Sequence, residues 1–345
     1  MRIPKFIKEG GCLGFVAPSY GCNIEPYKTS FQNALNKFHQ SGFQTDLGEN
    51  CYAGEGIGIS NTPEKCGEEI NTYFSKKEVD AIFSCGGGEL MCEILDYVDF
   101  EKLAKEEPKW YMGYSDNTNL TFLLATLCDT AAVYGPCAPA FGMEPWHPAI
   151  SDAFELLKGQ KTEVTNYPLW EKESKKDEEH PLEPYHVTEP FHVKCYPEGD
   201  IVTSGRLLGG CLDCLGRLVG TKYDRVKEFT KRYEKDGILW YMEACDLNVM
   251  DIRRALWQLD HAGWFEHVKG FLFGRPLCHG EEMFGLDQYH AVTELLKKYH
   301  VPILMDLDIG HIPPMMPIVN GAVATVEAKG NRVRIQYDFY YIFGV

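Results

Sequence analysis

The chain has 345 residues, 44% of them hydrophobic and 24% charged, with 34 Lys and Arg against 50 Asp and Glu for a formal net charge of −16. That length exceeds one ordinary core and argues for two domains, and the composition is that of a soluble globular protein. The acidity excludes a nucleic-acid polymer or an anionic membrane surface as the main partner.

The opening residues, Met1-Arg2-Ile3-Pro4-Lys5-Phe6-Ile7-Lys8-Glu9-Gly10, carry charges where a signal peptide needs an apolar core. No apolar run of about 18 residues occurs that would span a membrane. The 13 cysteines lack the regular spacing of a disulfide framework, which fits a reduced, cytoplasmic setting.

In chain order, Leu13 to Ala17 reads as a strand ending at Pro18-Ser19, and Phe31, Ala34, Leu35 and Phe38 mark a helix that stops near Gly42. Thr62-Pro63-Glu64 starts a second helix, with Thr62 as its cap and Pro63 in its first turn. Val79 to Phe83 is a buried strand, followed by Gly86-Gly87-Gly88 and a helix through Leu90, Ile94 and Leu95. An apolar-aromatic run then ends at Gly113, and Ser115-Asp116-Asn117 leads into Leu120, Leu123, Leu124 and Leu127, one face of a helix that Asp116 or Asn117 can cap. Strand, glycine or polar turn, then helix, repeated, indicates βα units around a parallel sheet.

The pattern breaks from about residue 160 to 200, where Pro168, Pro181, Pro184, Pro190 and Pro197 punctuate a charged stretch. This reads as a long connecting loop. Order resumes at Gly205-Arg206-Leu207-Leu208-Gly209-Gly210. Then come a strand from Ile238 to Met242 ending at Glu243, a helix with Val249, Ile252, Leu256 and Leu259 on one face, and a strand from Val268 to Phe273. Ile303-Leu304-Met305 leads to Asp308-Ile309-Gly310-His311 and a proline cluster, and Ala322–Val326 with Arg332–Tyr337 forms a hairpin about Lys329-Gly330-Asn331. The expected boundaries are 1–165 for an N-terminal α/β domain, 166–200 for a connecting loop and 201–345 for a C-terminal domain.

A serine on a tight strand-to-helix turn has its hydroxyl exposed and faces the first N–H groups of the helix, which suits a nucleophile; a serine that helps cap a helix occupies the same kind of place. A nucleophile needs a base, and the base needs a group to orient it. Of 11 histidines, His311 follows a strand in a proline-stiffened loop. Glu243 ends the most apolar strand of the second half, where a carboxylate must be paired. Asp246 and Asp308 are rivals, Asp308 being close enough to His311 for a contact within the loop. The order serine, acid, histidine also occurs in α/β-hydrolases, but their second elbow glycine is Asn117 here.

The Gly86-Gly87-Gly88 turn can serve an oxyanion or a phosphate, and no Gly-Lys-Ser/Thr follows that would make it a Walker loop. Cys211-Leu212-Asp213-Cys214 lacks the second pair or the histidines of a zinc site and reads as packing. Neither a metal nor a cofactor is expected.

Together these segments resemble the LD-carboxypeptidase family of serine peptidases, which includes the microcin C self-immunity proteins. The likeness rests on Gly113-Tyr114-Ser115-Asp116 with Asn117-Thr118-Asn119-Leu120, on Gly205 to Gly210, on the strand ending at Glu243, and on Gly310-His311 with Pro314, Pro317 and Gly321, and it covers essentially the whole chain. It implies an N-terminal α/β domain and a mixed, β-rich C-terminal domain, with substrate between them. It further implies Ser115 as nucleophile, His311 as general base, Glu243 as its partner, and an oxyanion hole of the Gly87, Gly88 and Asp116 N–H groups. Family members are typically cytoplasmic homodimers without metal. One branch removes D-alanine from muropeptides; the other cleaves the acyl–nitrogen bond of microcin C-like peptidyl nucleotides. Chain length and the 160–200 stretch look more like the second branch, with Trp170, or Tyr185 as a substitute, as the aromatic that stacks on the base. Two departures concern substrate recognition. Cys211 stands where Gly-Gly-Asn is usual, removing an amide that could contact substrate, and Ala244 follows Glu243 where Glu-Asp is usual.

Overall fold

The computed structural model describes residues 1–339. The chain divides into two units, one of residues 1–161 and 173–186, the other of residues 162–172 and 187 onward. Among the described residues no helix is long and apolar enough to cross a membrane.

The first unit is an α/β domain on a parallel sheet. Its strands are β1 (Cys12–Val16), β2 (Gln44–Leu47), β3 (Ala81–Ser84), β4 (Trp110–Gly113) and β5 (Ala132–Tyr134), in the order β2-β1-β3-β4-β5 with every pairing parallel. The helices are α1 (Tyr27–Gln40), α2 (Pro63–Ser75), α3 (Phe100–Leu103), α4 (Thr118–Thr126) and α5 (Pro148–Leu157). All residues of β3 and β4 are buried, as strands covered on both faces must be. Neighbouring residues point to opposite faces. Phe15 and Phe83 accordingly meet Phe31, Phe38 and Phe141, whereas Val16, Ile82 and Tyr111 join Ile70, Tyr73 and Phe74 of α2.

The second unit is mixed and β-rich. Its helices are α6 (Leu212–Leu218), α7 (Val226–Arg232), α8 (Val249–His261) and α9 (Gln288–Leu296). Its main sheet runs β6 (Glu163–Thr165), β18 (Arg332–Asp338), β17 (Val323–Lys329), β10 (Ile201–Cys211), β11 (Ile238–Glu243), β12 (Val268–Gly274), β15 (Ile303–Leu307) and β9 (Lys194–Tyr196). The central four, β10-β11-β12-β15, are parallel and the outer pairs antiparallel. Small pieces complete it: β7 (Leu169–Glu171) pairs with β8 (Val187–Pro190), β13 (Glu282–Met283) pairs with β14 (Leu286–Asp287), and β16 is Ile318–Asn320. The β17–β18 hairpin closes tightly, Lys329 facing Arg332 across Gly330-Asn331.

Helix α8 buries Val249, Ile252, Leu256 and Leu259, the face read from the sequence. The Asn248 carboxamide oxygen accepts the Met250 and Asp251 N–H groups at 2.9 and 3.1 Å and caps it. Asn248→Ala should therefore cost about 1 kcal/mol in urea unfolding. An unchanged midpoint would mean that this cap contributes nothing.

Three details differ from the sequence reading. Residues 166–200 hold β7, β8 and β9 and are shared between the two units. The segment after Gly88 is a 3₁₀ turn, Met91–Tyr97, rather than an α-helix, with the Met91 N–H taken by the Asp116 carboxylate. Helix α4 is buried on every side, so its leucines mark no single face.

Candidate active site

In the first unit, the carboxyl ends of β1, β3 and β4 lead to Ser19, to Gly86–Gly88 and to Ser115. In open α/β sheets, ligands bind at that edge. After β4, a 3₁₀ turn of Ser115–Asn117 runs into α4. Ser115 has φ +64°, a left-handed conformation that costs a non-glycine residue about 1–3 kcal/mol. Its N–H donates to the Tyr134 hydroxyl at 3.1 Å. The side chain is half-buried, on a sharp turn of the kind that exposes a nucleophile.

Of the two residues expected to cap α4, Asn117 does not. Asn117, at the N-cap position, makes no side-chain cap bond; its amide donates to the carbonyls of Gly86 and Tyr114. The Asp116 carboxylate accepts instead from Ser19 Oγ at 2.7 Å, Met91 N–H at 2.9 Å and Asn119 Nδ2 at 3.0 Å. Burial pushes its pKa up, and those donors pull it back in part. Two of these partners, Ser19 and Met91, are distant in the chain.

The Gly86–Gly88 turn packs directly on Ser115. A Cβ at Gly87 would stand 3.1 Å from both Cβ and Oγ of Ser115, and one at Gly88 only 2.2 Å from Ser19 Oγ. Glycine is what allows this approach.

In the second unit, β11 delivers Glu243, 2% exposed, and the loop after β15 delivers His311. Glu243 Oε2 and His311 Nδ1 lie 2.8 Å apart. A carboxylate can only accept, so Nδ1 carries the hydrogen and Nε2 of the neutral ring is left as the basic nitrogen. Burial pulls the His311 pKa down, but the Glu243 carboxylate and a hydrogen bond with the Cys245 thiol outweigh it and hold the ring well above an ordinary histidine. Glu243 is thus the acid that meets His311. Asp246 is exposed, and Asp308 is occupied elsewhere.

Asp308 builds the loop that carries His311. Its carboxylate pairs with the buried Arg275 guanidinium and accepts the Tyr167 N–H at 2.7 Å, while its carbonyl accepts the Met316 N–H at 2.8 Å. Burial pushes this carboxyl up to about 6 against the pull of Arg275. Gly310, at φ +99°, is indispensable there: a Cβ would fall 2.4 Å from Glu243 Oε2. Gly310→Ala should lower the melting temperature and at least decimate any activity that needs the Glu243–His311 bond. A variant with wild-type stability and turnover would contradict this packing.

The remaining residues singled out from the sequence lie in different settings. Trp170, in β7, is half-buried, its indole edge-on to His279 at 5.6 Å and 5.2 Å from the Arg275 guanidinium. Tyr185 lies in the first unit beside His147, with ring centres 5.5 Å apart. Cys211 is 2% exposed, opposite Glu243 in the β10–β11 register, and its thiol donates to Asp213 Oδ2 at 3.3 Å. A hydrogen bond with Cys214, then burial, hold the Cys211 thiol well above its usual pKa, so it is no ready thiolate. Reasoning from sequence missed Arg275, Tyr134 and the role of the Asn117 amide. None of these sits in a motif that spacing alone reveals.

Residues 13–135 match the family model described as LD-carboxypeptidase N-terminal domain, and residues 204–326 match the LD-carboxypeptidase C-terminal domain. A provisionally named carboxypeptidase of Vibrio cholerae is 26% identical over 97% of this chain and 98% of its own. A second provisionally named carboxypeptidase, YocD of Bacillus subtilis, is 25% identical over 96% and 98%. Among solved structures, the microcin C7 self-immunity protein MccF in complex with aspartyl sulfamoyl adenosine superposes with a TM-score of 0.81 at 20% identity, covering 98% of this chain and 99% of that one. An MccF-like protein from Bacillus anthracis gives 0.80 at 21% identity, over 98% and 100%. These structures share the fold. With both domain models matched in order, the chain belongs to the LD-carboxypeptidase family.

Proposed function

We propose that this protein is a serine hydrolase of the carboxypeptidase type, acylated at Ser115 with His311 as general base and Glu243 as the group that orients it. The observation that carries the reading is the bond from Glu243 Oε2 to His311 Nδ1, which leaves Nε2 to take a proton. The strained turn at Ser115 supports it from the other side of the chemistry. Ser115 Oγ attacks the amide carbonyl carbon as its proton passes to His311. The tetrahedral oxyanion is met by the N–H groups of Gly87, Gly88 and Asp116. His311 then returns the proton to the leaving nitrogen, and water releases the acyl group by the reverse steps.

The substrate is an LD-muropeptide or an aminoacyl or peptidyl nucleotide, the second being favoured by the fold shared with MccF and by the half-buried indole of Trp170. Digesting a muropeptide tetrapeptide and an aminoacyl-sulfamoyl nucleoside side by side, read by mass spectrometry, tests this. Cleavage of the nucleoside conjugate is expected. Release of D-alanine alone assigns the other branch, and no cleavage of either contradicts the hydrolase reading.

A further inference from the structure

Asn117 is fully buried, and both of its amide hydrogens and its carboxamide oxygen are hydrogen-bonded. Nδ2 donates to the Gly86 carbonyl at 2.7 Å and to the Tyr114 carbonyl at 3.0 Å, while Oδ1 accepts from the Tyr111 hydroxyl. Turning the amide over would set an oxygen against two carbonyl oxygens, so its orientation is unique. Gly113 leaves the room for it, since a Cβ there would stand 2.7 Å from Asn117 Cγ. The Gly86 carbonyl also accepts from Ser84 Oγ at 2.9 Å, which fills both of its lone pairs.

The consequence follows from the planarity of the peptide group. The Gly86 C=O and the Gly87 N–H belong to one trans peptide and point in opposite directions. Fixing the oxygen fixes the direction of the hydrogen. The next peptide is held in the same manner, its Gly87 carbonyl accepting the Tyr20 N–H at 2.8 Å. Three glycines in a row have no side chains of their own to hold a peptide plane, and glycine backbone is conformationally permissive. Aiming two donors therefore requires bonds from outside the turn.

We infer that Asn117 is a positioning residue that aims the Gly87 N–H toward the oxyanion formed at Ser115, by holding the Gly86 carbonyl on the far side of the same peptide. The inference rests on Ser115 being the nucleophile. It also accounts for an asparagine two residues after the serine, where the α/β-hydrolase elbow has glycine. The side chain that departs from that pattern ties the donor turn to the serine turn. Ser84 assists from the end of β3, its hydroxyl donating to the same Gly86 carbonyl.

The test is Asn117→Asp, which keeps the shape but faces two carbonyl oxygens with a carboxylate. On the substrate cleaved by the wild-type protein, kcat should fall about 10²–10³-fold, the loss seen when an oxyanion donor is misdirected, with KM nearly unchanged. The Gly87 amide resonance should move in the same variant. Tyr111→Phe leaves Asn117 in place with its Oδ1 partner removed, and serves if the aspartate variant does not fold; it should give a smaller loss of the same kind, again in kcat. A merely structural role would lower the melting temperature of both variants while leaving the kcat of the folded fraction intact, and that result overturns the inference. Ser115→Ala is run beside them. If it is dead while Asn117→Asp and Tyr111→Phe turn over normally, only the positioning role fails. If Ser115→Ala retains turnover, the nucleophile fails and the inference with it.

Discussion

Ser115→Ala is expected to reduce turnover by about 10³-fold or more while leaving the fold intact, the scale set by other triad nucleophiles. The substitution removes one atom, Oγ. It keeps the Cβ that packs on Gly87, and it keeps the backbone N–H that donates to Tyr134, so the strained turn retains its brace. A melting temperature close to wild type should therefore accompany the loss. Residual activity above the uncatalysed rate would come from substrate binding and the N–H donors alone. Comparable kcat values for the two proteins would remove Ser115 from the mechanism.

Glu243→Gln should have the second largest effect, and it should show in the pH profile as well as in the rate. In the proposed mechanism His311 must be neutral to accept the Ser115 proton, so kcat/KM should rise with pH through the His311 pKa. Glu243 favours the imidazolium and, with Cys245, raises that pKa, which sets the acidic limb of the wild-type profile above the ordinary histidine value of about 6.5. Glutamine removes the charge and leaves burial, which acts in the opposite direction, so the limb should move to lower pH. Turnover should fall as well, by about 10²–10⁴-fold, because an amide can donate to Nδ1 and stabilise the wrong tautomer. His311→Ala should cost more than Glu243→Gln. A limb that stays in place, or moves upward, would separate Glu243 from the titration of His311.

Much of this arrangement can be read in the residues themselves. The parallel sheet of the first unit follows from apolar runs such as Ala81–Ser84 and Trp110–Gly113, each stopped by a glycine or polar turn. Glu243 stands out because a carboxylate closing the run Ile238–Met242 has to find a partner, and that partner is His311. Other features depend on groups far apart in the chain. Asp116 looks like a helix cap because Ser-Asp before an apolar helix usually is one. Two of the partners it takes, Ser19 and Met91, lie 97 and 25 residues away. The proline-rich 166–200 stretch conceals three strands because each is only three or four residues long and pairs with distant or irregular neighbours, β9 with β15 and β7 with β8. Arg275 was unreadable for the same reason: its meaning comes from Asp308, 33 residues on and fully buried with it.

Labelling with a fluorophosphonate, followed by peptide mass mapping, tests the central claim most directly. If Ser115 is the nucleophile and His311 its base, Ser115 loses its proton to His311 and takes the phosphonyl group as fluoride leaves. The account predicts one adduct, on the peptide that contains Ser115, absent from Ser115→Ala and strongly slowed in His311→Ala. No adduct at Ser115 in the active wild-type protein, or equal labelling with and without His311, would contradict it.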